Sequence, residues 1–170
     1  TVNLYEDALG GLKPFQVCQM GMVRTFQITQ PFAKLSILEN IMIGAYARIQ
    51  NPEDATAEAY KVAERVGIRV PLESSAADLN VAGRKRLELA RALATQPKIL
   101  LLDEVMAGLN PTEVEEILKV IREIRNSGIT IFLIEHVMQA VMSLSDYTYV
   151  LNNGRLIASG TPKQVAADPQ

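Results

Sequence analysis

The sequence is poor in the residues that most often carry chemistry or staple small folds. It has one cysteine, Cys18, one histidine, His136, and no tryptophan among 170 residues. A single thiol cannot form an internal disulfide or supply a cysteine zinc site, and it suits a reducing cytoplasm. An excess of either charge is also lacking. Lys and Arg number 17 against 19 Asp and Glu, a formal charge of -2, so no global basic field points to nucleic acid or anionic lipid. No apolar run approaches the roughly 18 residues that a membrane helix needs. The opening Thr-Val-Asn-Leu-Tyr-Glu-Asp has no basic or apolar leader, so no signal peptide is expected. It also lacks an initiator methionine, which predicts that the chain starts partway through a longer protein. What is present is 48% hydrophobic and 21% charged, enough for one ordinary buried core.

Residues 2–5 read as a strand, Gly10-Gly11 as a turn and residues 14–20 as a short helix. Ser36 followed by Glu39 has the spacing of a capping box, and Ile37, Ile41 and Ala45 share a face of the helix it opens. Asn51-Pro52 breaks that helix, and another spans residues 55–66, stopped by Gly67. Leu87, Ala90, Leu93 and Ala94 define a further amphipathic helix. Ile99-Leu100-Leu101-Leu102 and residues 129–134 are short continuous apolar runs, the mark of strands buried on both faces of a parallel sheet. A helix opened by Pro111 and closed by Asn126-Ser127-Gly128 joins them into a βαβ unit. Asn152-Asn153-Gly154, between two alternating runs, signals a hairpin after a helix over residues 137–144. The reading is one α/β domain, with a helical insert at roughly 28–96 and a sheet core at roughly 97–170.

Ligands bind beyond the carboxyl ends of the strands in open parallel sheets. The first buried run here ends in Asp103-Glu104 and the second in Glu135-His136. Such a carboxylate pair suits a nucleotide site, one oxygen set holding Mg²⁺ through its water shell and the other orienting a water for attack on a γ-phosphoryl group. An isolated Leu-Leu-Asp-Glu is more commonly a solvated strand end, and a lone His136 a satisfied loop histidine.

Ordered motifs change that balance. Arg24-Thr25-Phe26-Gln27, residues 87–93, Ile99-Leu100-Leu101-Leu102-Asp103-Glu104, Ala107-Gly108-Leu109-Asn110-Pro111 and Ile134-Glu135-His136 resemble, in order and spacing, the Q-loop, signature helix, Walker B strand, D-loop and switch-histidine region of the nucleotide-binding subunits of ATP-binding cassette (ABC) transporters. The resemblance runs over essentially the whole chain. Arg24-Thr25-Phe26-Gln27, residues 104–113 and Ile134-Glu135-His136 are most similar to the branch that takes up branched-chain amino acids. The resemblance implies a P-loop NTPase-like parallel sheet core with a helical insert and a C-terminal hairpin, and ATP with Mg²⁺ as ligands. It implies Asp103 and Gln27 at the metal, Glu104 polarising the attacking water, His136 at the γ-phosphate, and Gln27 linking that water to the helical insert. It also implies transmembrane permease subunits and a second ATP-binding subunit as partners, a solute-binding protein acting indirectly, no nucleic acid, and a peripheral place on the cytoplasmic face of the inner membrane.

The chain also departs from the family pattern. The signature Leu-Ser-Gly-Gly-Gln falls on Leu79-Asn80-Val81-Ala82-Gly83, so Asn80, Ala82 and Gly83 would face the partner's nucleotide with fewer glycines to allow close approach. Asn110 stands where the family usually has Asp, and it would speak to the opposite monomer without a charge. Arg84, Lys85 and Arg86 read equally as a solvated helix face or as positive charge near an anion. No Gly-x-x-x-x-Gly-Lys-Ser/Thr occurs in the sequence, so the expectation is a chain lacking the N-terminal strands and phosphate-cradling loop. Such a chain would bind ATP poorly by itself, and both apolar strands would be left partly uncovered. Met22-Val23, Pro31-Phe32 and Ile37, near Gln27, are expected to form the surface that meets the permease. Two further readings stay open: a non-catalytic scaffold or fragment, and a soluble ABC-type ATPase acting on ribosomes or DNA.

Overall fold

Local signals place the elements almost one by one, and the computed structural model describes residues 2–4, 6–26 and 30–167. Where the sequence reading has one strand, two short ones pair antiparallel, β1 (Asn3–Leu4) with β2 (Asp7–Ala8). The helix α1 (Pro14–Met20) carries its proline in the first turn, where the missing N–H has no partner to lose. Then comes β3 (Met22–Arg24), which the sequence reading missed.

The helical layer follows. Ser36 caps α2 (Ile37–Ala45) through the box expected with Glu39, and Ile37, Ile41 and Ala45 are all fully buried. Asn51 caps α3 (Pro52–Arg65), which starts three residues early because Pro52 is suited to a first helical position. Asn80 caps α4 (Val81–Ala94), whose Leu87, Leu89, Ala90 and Leu93 are buried. The three helices pack on one another. At Gly44 the approach of α2 to α4 is so close that an added Cβ would lie 2.2 Å from the Arg91 carbonyl oxygen. Any side chain there would push the pair apart.

The sheet is completed by β4 (Ile99–Asp103), then α5 (Pro111–Asn126), then β5 (Thr130–Ile134). The order is β3-β4-β5, all parallel, with Arg24 opposite Leu101 and Asp103 opposite Ile134. Val114, Ile117, Leu118, Ile121 and Ile124 repeat at helical spacing on α5 and join Leu100 and Leu102 in one buried cluster. The chain ends with α6 (Met138–Leu144), the hairpin β6 (Thr148–Asn152) and β7 (Arg155–Gly160), and α7 (Pro162–Ala166). Asn153 and Gly154 both take positive φ, 47° and 76°, the conformation that lets a two-residue turn follow the strand twist.

Two expectations need correction. Met22 and Val23 are not part of an apolar docking surface, because β3 takes them into the sheet, and Ile37 is fully buried; Phe32 is the exposed member of that set. Nor are both central strands uncovered. β4 has a strand on each side, and its Leu100 and Leu102 are 0% and 1% exposed, whereas Phe132 and Ile134 of β5 are 54% and 52% exposed. Beside β5 lies a groove of about 700 Å³ lined by Ile131, Leu133, Val141, Leu144, Tyr147 and Tyr149. Among the described residues no helix is long and apolar enough to cross a membrane.

Candidate functional site

Parallel pairing of β4 with β5 delivers the two polar strand ends to the same edge. Asp103 is the last residue of β4. Its backbone N–H donates to Thr25 Oγ1 at 3.3 Å, and its Oδ2 accepts from Arg24 Nη2 at 2.6 Å. The carboxylate that the sequence assigns to a metal is thus largely buried and already faces a cation, carried by the last residue of β3. One carboxylate on a rigid strand end suits a divalent ion held mainly through its own water shell, and among the described residues no three acidic, histidine or cysteine side chains gather around it.

Glu104 does not continue the strand. Its φ is +46°, a left-handed conformation rare for a residue with a Cβ, while its N–H still donates to Ile134 O at 2.9 Å. The backbone therefore bends between the two carboxylates instead of carrying the strand through both. The bend brings Glu104 Oε1 to 4.0 Å from His136 Nδ1, with His136 largely exposed. Glu135, to which the sequence reading gave no role, turns the other way. Its Oε1 accepts from Met106 N–H at 3.0 Å and so holds the turn after Glu104, while its Oε2 is buried without a hydrogen-bond partner. Its position beside His136 in the second strand end was the available signal.

The basic cluster of α4 is divided between the interior and the surface. Lys85 is buried, 6% exposed, and donates Nζ to Glu104 O at 3.3 Å. Arg86 donates to Val66 O at 2.6 Å and pairs with Glu116, and Arg84 reaches Ala77 O at 3.1 Å. Lys85 and Arg86 are thus committed to the fold, whereas Arg84 is exposed and lies on the solvated face that was one of the two expectations.

Among the other predicted residues, Asn80 Oδ1 accepts from Gly83 N–H at 2.8 Å, closing the first turn of α4 on itself. At Gly83 an added Cβ would lie 2.9 Å from Leu79 Cδ2 and 3.1 Å from Asn80 Oδ1, so a side chain there would displace both neighbours. Ala82 is half-buried in the same turn. The first turn of α4 also meets the loop before α5: Val81 Cγ1 lies 3.6 Å from the place of a Cβ on Gly108. Asn110 is exposed, and its Oδ1 is committed to capping α5 through Glu113 N–H at 3.0 Å, with Glu113 returning a bond to Asn110 N–H. Gln27 lies outside the described residues. The structure thus gathers Asp103, Glu104 and His136 at one sheet edge, while Asn80, Ala82 and Gly83 share a helix start near the loop that leads to Asn110.

Comparison with known proteins gives a consistent result. A family model described as "ABC transporter" matches residues 13–107. The chain is 37% identical to the high-affinity branched-chain amino acid transport ATP-binding protein LivG of Escherichia coli (strain K12), an alignment covering 99% of this chain and 72% of LivG. Among solved structures it is similar to a nucleotide-free ATP-binding cassette from an ABC transporter, with a TM-score of 0.83, 29% identity, and 98% and 73% of the two chains covered. It is also similar to an ABC-transporter cassette in its ADP conformation, with a TM-score of 0.81, 30% identity, and 96% and 72% covered.

Proposed function

This chain belongs to the ABC transporter family of ATP-binding proteins, and from that premise we propose that it drives uptake of branched-chain amino acids by hydrolysing ATP on Asp103, Glu104, His136 and Gln27. The ATP-binding subunits of the family work with membrane permeases and dimerise. Here the specific arrangement is a peripheral subunit on the cytoplasmic face of the membrane, paired with a second ATP-binding subunit and docked on permease subunits. A solute-binding protein delivers the amino acid. The chain divides into a helical part at roughly 28–96 and a hydrolytic part at roughly 97–170.

The observation that carries this reading is the convergence of Glu104 and His136, 4.0 Å apart, beside Asp103 at the carboxyl edge of a parallel sheet. Glu104 accepts the proton of the attacking water as the water approaches the γ-phosphorus. His136 donates toward a γ-phosphate oxygen and, next to Glu104, orients that carboxylate. Asp103 and Gln27 would hold Mg²⁺, which when bound neutralises charge on the phosphates. Asn80, Ala82 and Gly83 present the start of α4 to the nucleotide of the partner subunit, and Asn110 faces that subunit by hydrogen bonding. The phosphate-cradling Gly-x-x-x-x-Gly-Lys-Ser/Thr loop is not among these 170 residues, so the side chains named here supply hydrolysis and coupling rather than the main grip on the phosphates.

The test separates the two neighbouring carboxylates in the assembled transporter. Glu104→Gln keeps the shape and loses the base, so turnover falls about 10²-fold or more while ATP affinity stays near parental. Asp103→Asn weakens Mg²⁺-dependent nucleotide binding itself. Parental hydrolysis by Glu104→Gln would overturn the assignment.

A further inference from the structure

The residues on either side of the segment holding Gln27 are tied to the same helix. Before it, Phe26 N–H donates to Glu88 Oε1 at 2.5 Å. After it, Arg91 Nη1 donates to Gln30 O at 3.2 Å, and its guanidinium lies 4.6 Å from the centre of the Phe32 ring. Glu88 and Arg91 are three residues apart on α4 and therefore neighbours on its surface. One step toward the helix start, Lys85 Nζ holds Glu104 O. Lys85, Glu88 and Arg91 thus form a strip on α4 that reaches three separate loop points.

These contacts are of the strong kind. A carboxylate accepting a backbone N–H and a guanidinium donating to a carbonyl are charge-assisted bonds. Arg91 is partly desolvated, which pulls its pKa below the ordinary arginine value, and the nearby Glu88 charge acts against that shift. The strip itself sits on a helix that has little freedom to move, because Leu87, Leu89, Ala90 and Leu93 of α4 are buried and Gly44 of α2 presses on the Arg91 carbonyl.

We infer that Lys85, Glu88 and Arg91 are positioning residues that hold both flanks of the Gln27 segment and the Glu104 backbone to the helix whose first turn is capped by Asn80. This rests on the roles of Gln27 and Glu104 given above. A displacement of the Gln27 flanks is then transmitted to the Asn80 end of α4, and through Lys85 to the catalytic carboxylate, with no intervening flexible element.

Amide hydrogen exchange on the unliganded full chain tests it. Glu88→Met fills the same space without an acceptor, and exchange at Phe26 rises about tenfold or more, as expected for losing a hydrogen bond to a charged group. Glu88→Gln keeps an acceptor oxygen and restores most of the protection, a recovery that a packing role would not produce. Arg91→Lys keeps the charge but loses the planar fork, and it speeds exchange at residues 32–35 while leaving Phe26 protected. Unchanged exchange at Phe26 in Glu88→Met, or a Gln variant no better than Met, overturns the inference. So does an Arg91→Lys variant whose exchange rises uniformly or not at all, which also decides the matter should Glu88→Met fail to fold. The readout uses no nucleotide, so a transporter that hydrolyses no ATP would overturn the functional reading alone.

Discussion

Ile99–Asp103 and Thr130–Ile134 are written in nearly the same alphabet, run parallel in register, and are joined by one helix, yet their surroundings differ. β4 lies between β3 and β5, and its Leu100 and Leu102 are sealed. β5 is paired on one side only among the described residues, and Phe132 and Ile134 lie half open beside the Tyr147 and Tyr149 groove. An apolar run therefore states what environment a strand suits, whereas its actual cover depends on elements far away in sequence. In β4 that cover includes β3, three residues with no alternation to announce them.

The contrast can be broken by mutation, and the largest effect belongs to β4. Leu100→Ala removes a fully buried side chain and should cost about 2–5 kcal/mol in urea unfolding, whereas Phe132→Ala in β5 should cost well under that. Equal costs would mean that β5 is covered in solution. Next comes the surface itself. An apolar edge and groove of this kind should bind a hydrophobic dye and promote self-association. Phe132→Thr with Ile134→Thr should reduce both, measured by dye fluorescence and sedimentation, while Leu→Thr changes elsewhere on β4 should only unfold the chain.

A smaller effect compares the helix starts of the two regions. Asn51 and Asn110 each accept backbone N–H bonds at the start of a helix, one in the helical layer and one beside the sheet. Either change to Ala should cost about 1 kcal/mol. A larger loss for Asn110, read by the same unfolding curves, would show that the helix beside the open strand depends more on its cap.

The smallest effect is electrostatic and confined to the helical layer. Hydrogen bonds from Ser36 hold the Glu39 carboxyl below its ordinary value, and the Tyr60 hydroxyl does the same for Glu73 while its own pKa is raised. A carboxyl depressed in the folded state contributes stability above its ordinary pKa and loses it as pH falls through the folded value. Tyr60, raised in the folded state, contributes below its ordinary pKa and loses that as pH climbs past it. Both pairs are exposed, so the slopes should be slight. Tyr60→Phe should flatten the alkaline slope of stability against pH and leave the Glu39 part of the acid slope in place.

Much of this was legible locally. Ser36 with Glu39, Pro111 with its closing Gly128, and Asn153-Gly154 each satisfy a backbone demand within a few residues, so short spacing was enough. The grouping of Asp103, Glu104 and His136 at one end of the sheet was legible, because their strand ends are consecutive in a βαβ unit. What escaped depends on contacts between distant segments. The left-handed bend at Glu104 follows from its bond to Ile134, the burial of Lys85 from the turn it meets, and the hold of Glu135 on Met106 from the strand register. A charged residue in a helix is ordinarily solvated, so Lys85 gave no local sign of facing inward.

Gly44 carries a consequence for movement. At Gly44 the place of a side chain is already taken, by the Arg91 carbonyl and by Ala94 Cβ of α4. Sliding one helix along the other would drive main-chain atoms into each other, and a methyl group at that point would pry them apart. Steric contact at this point therefore opposes shear of the pair. Alanine at position 44 would loosen that pairing, and the Arg48 Nε bond to Thr95 O, 3.3 Å long and just beyond the ends of the two helices, is the polar contact that would feel it first.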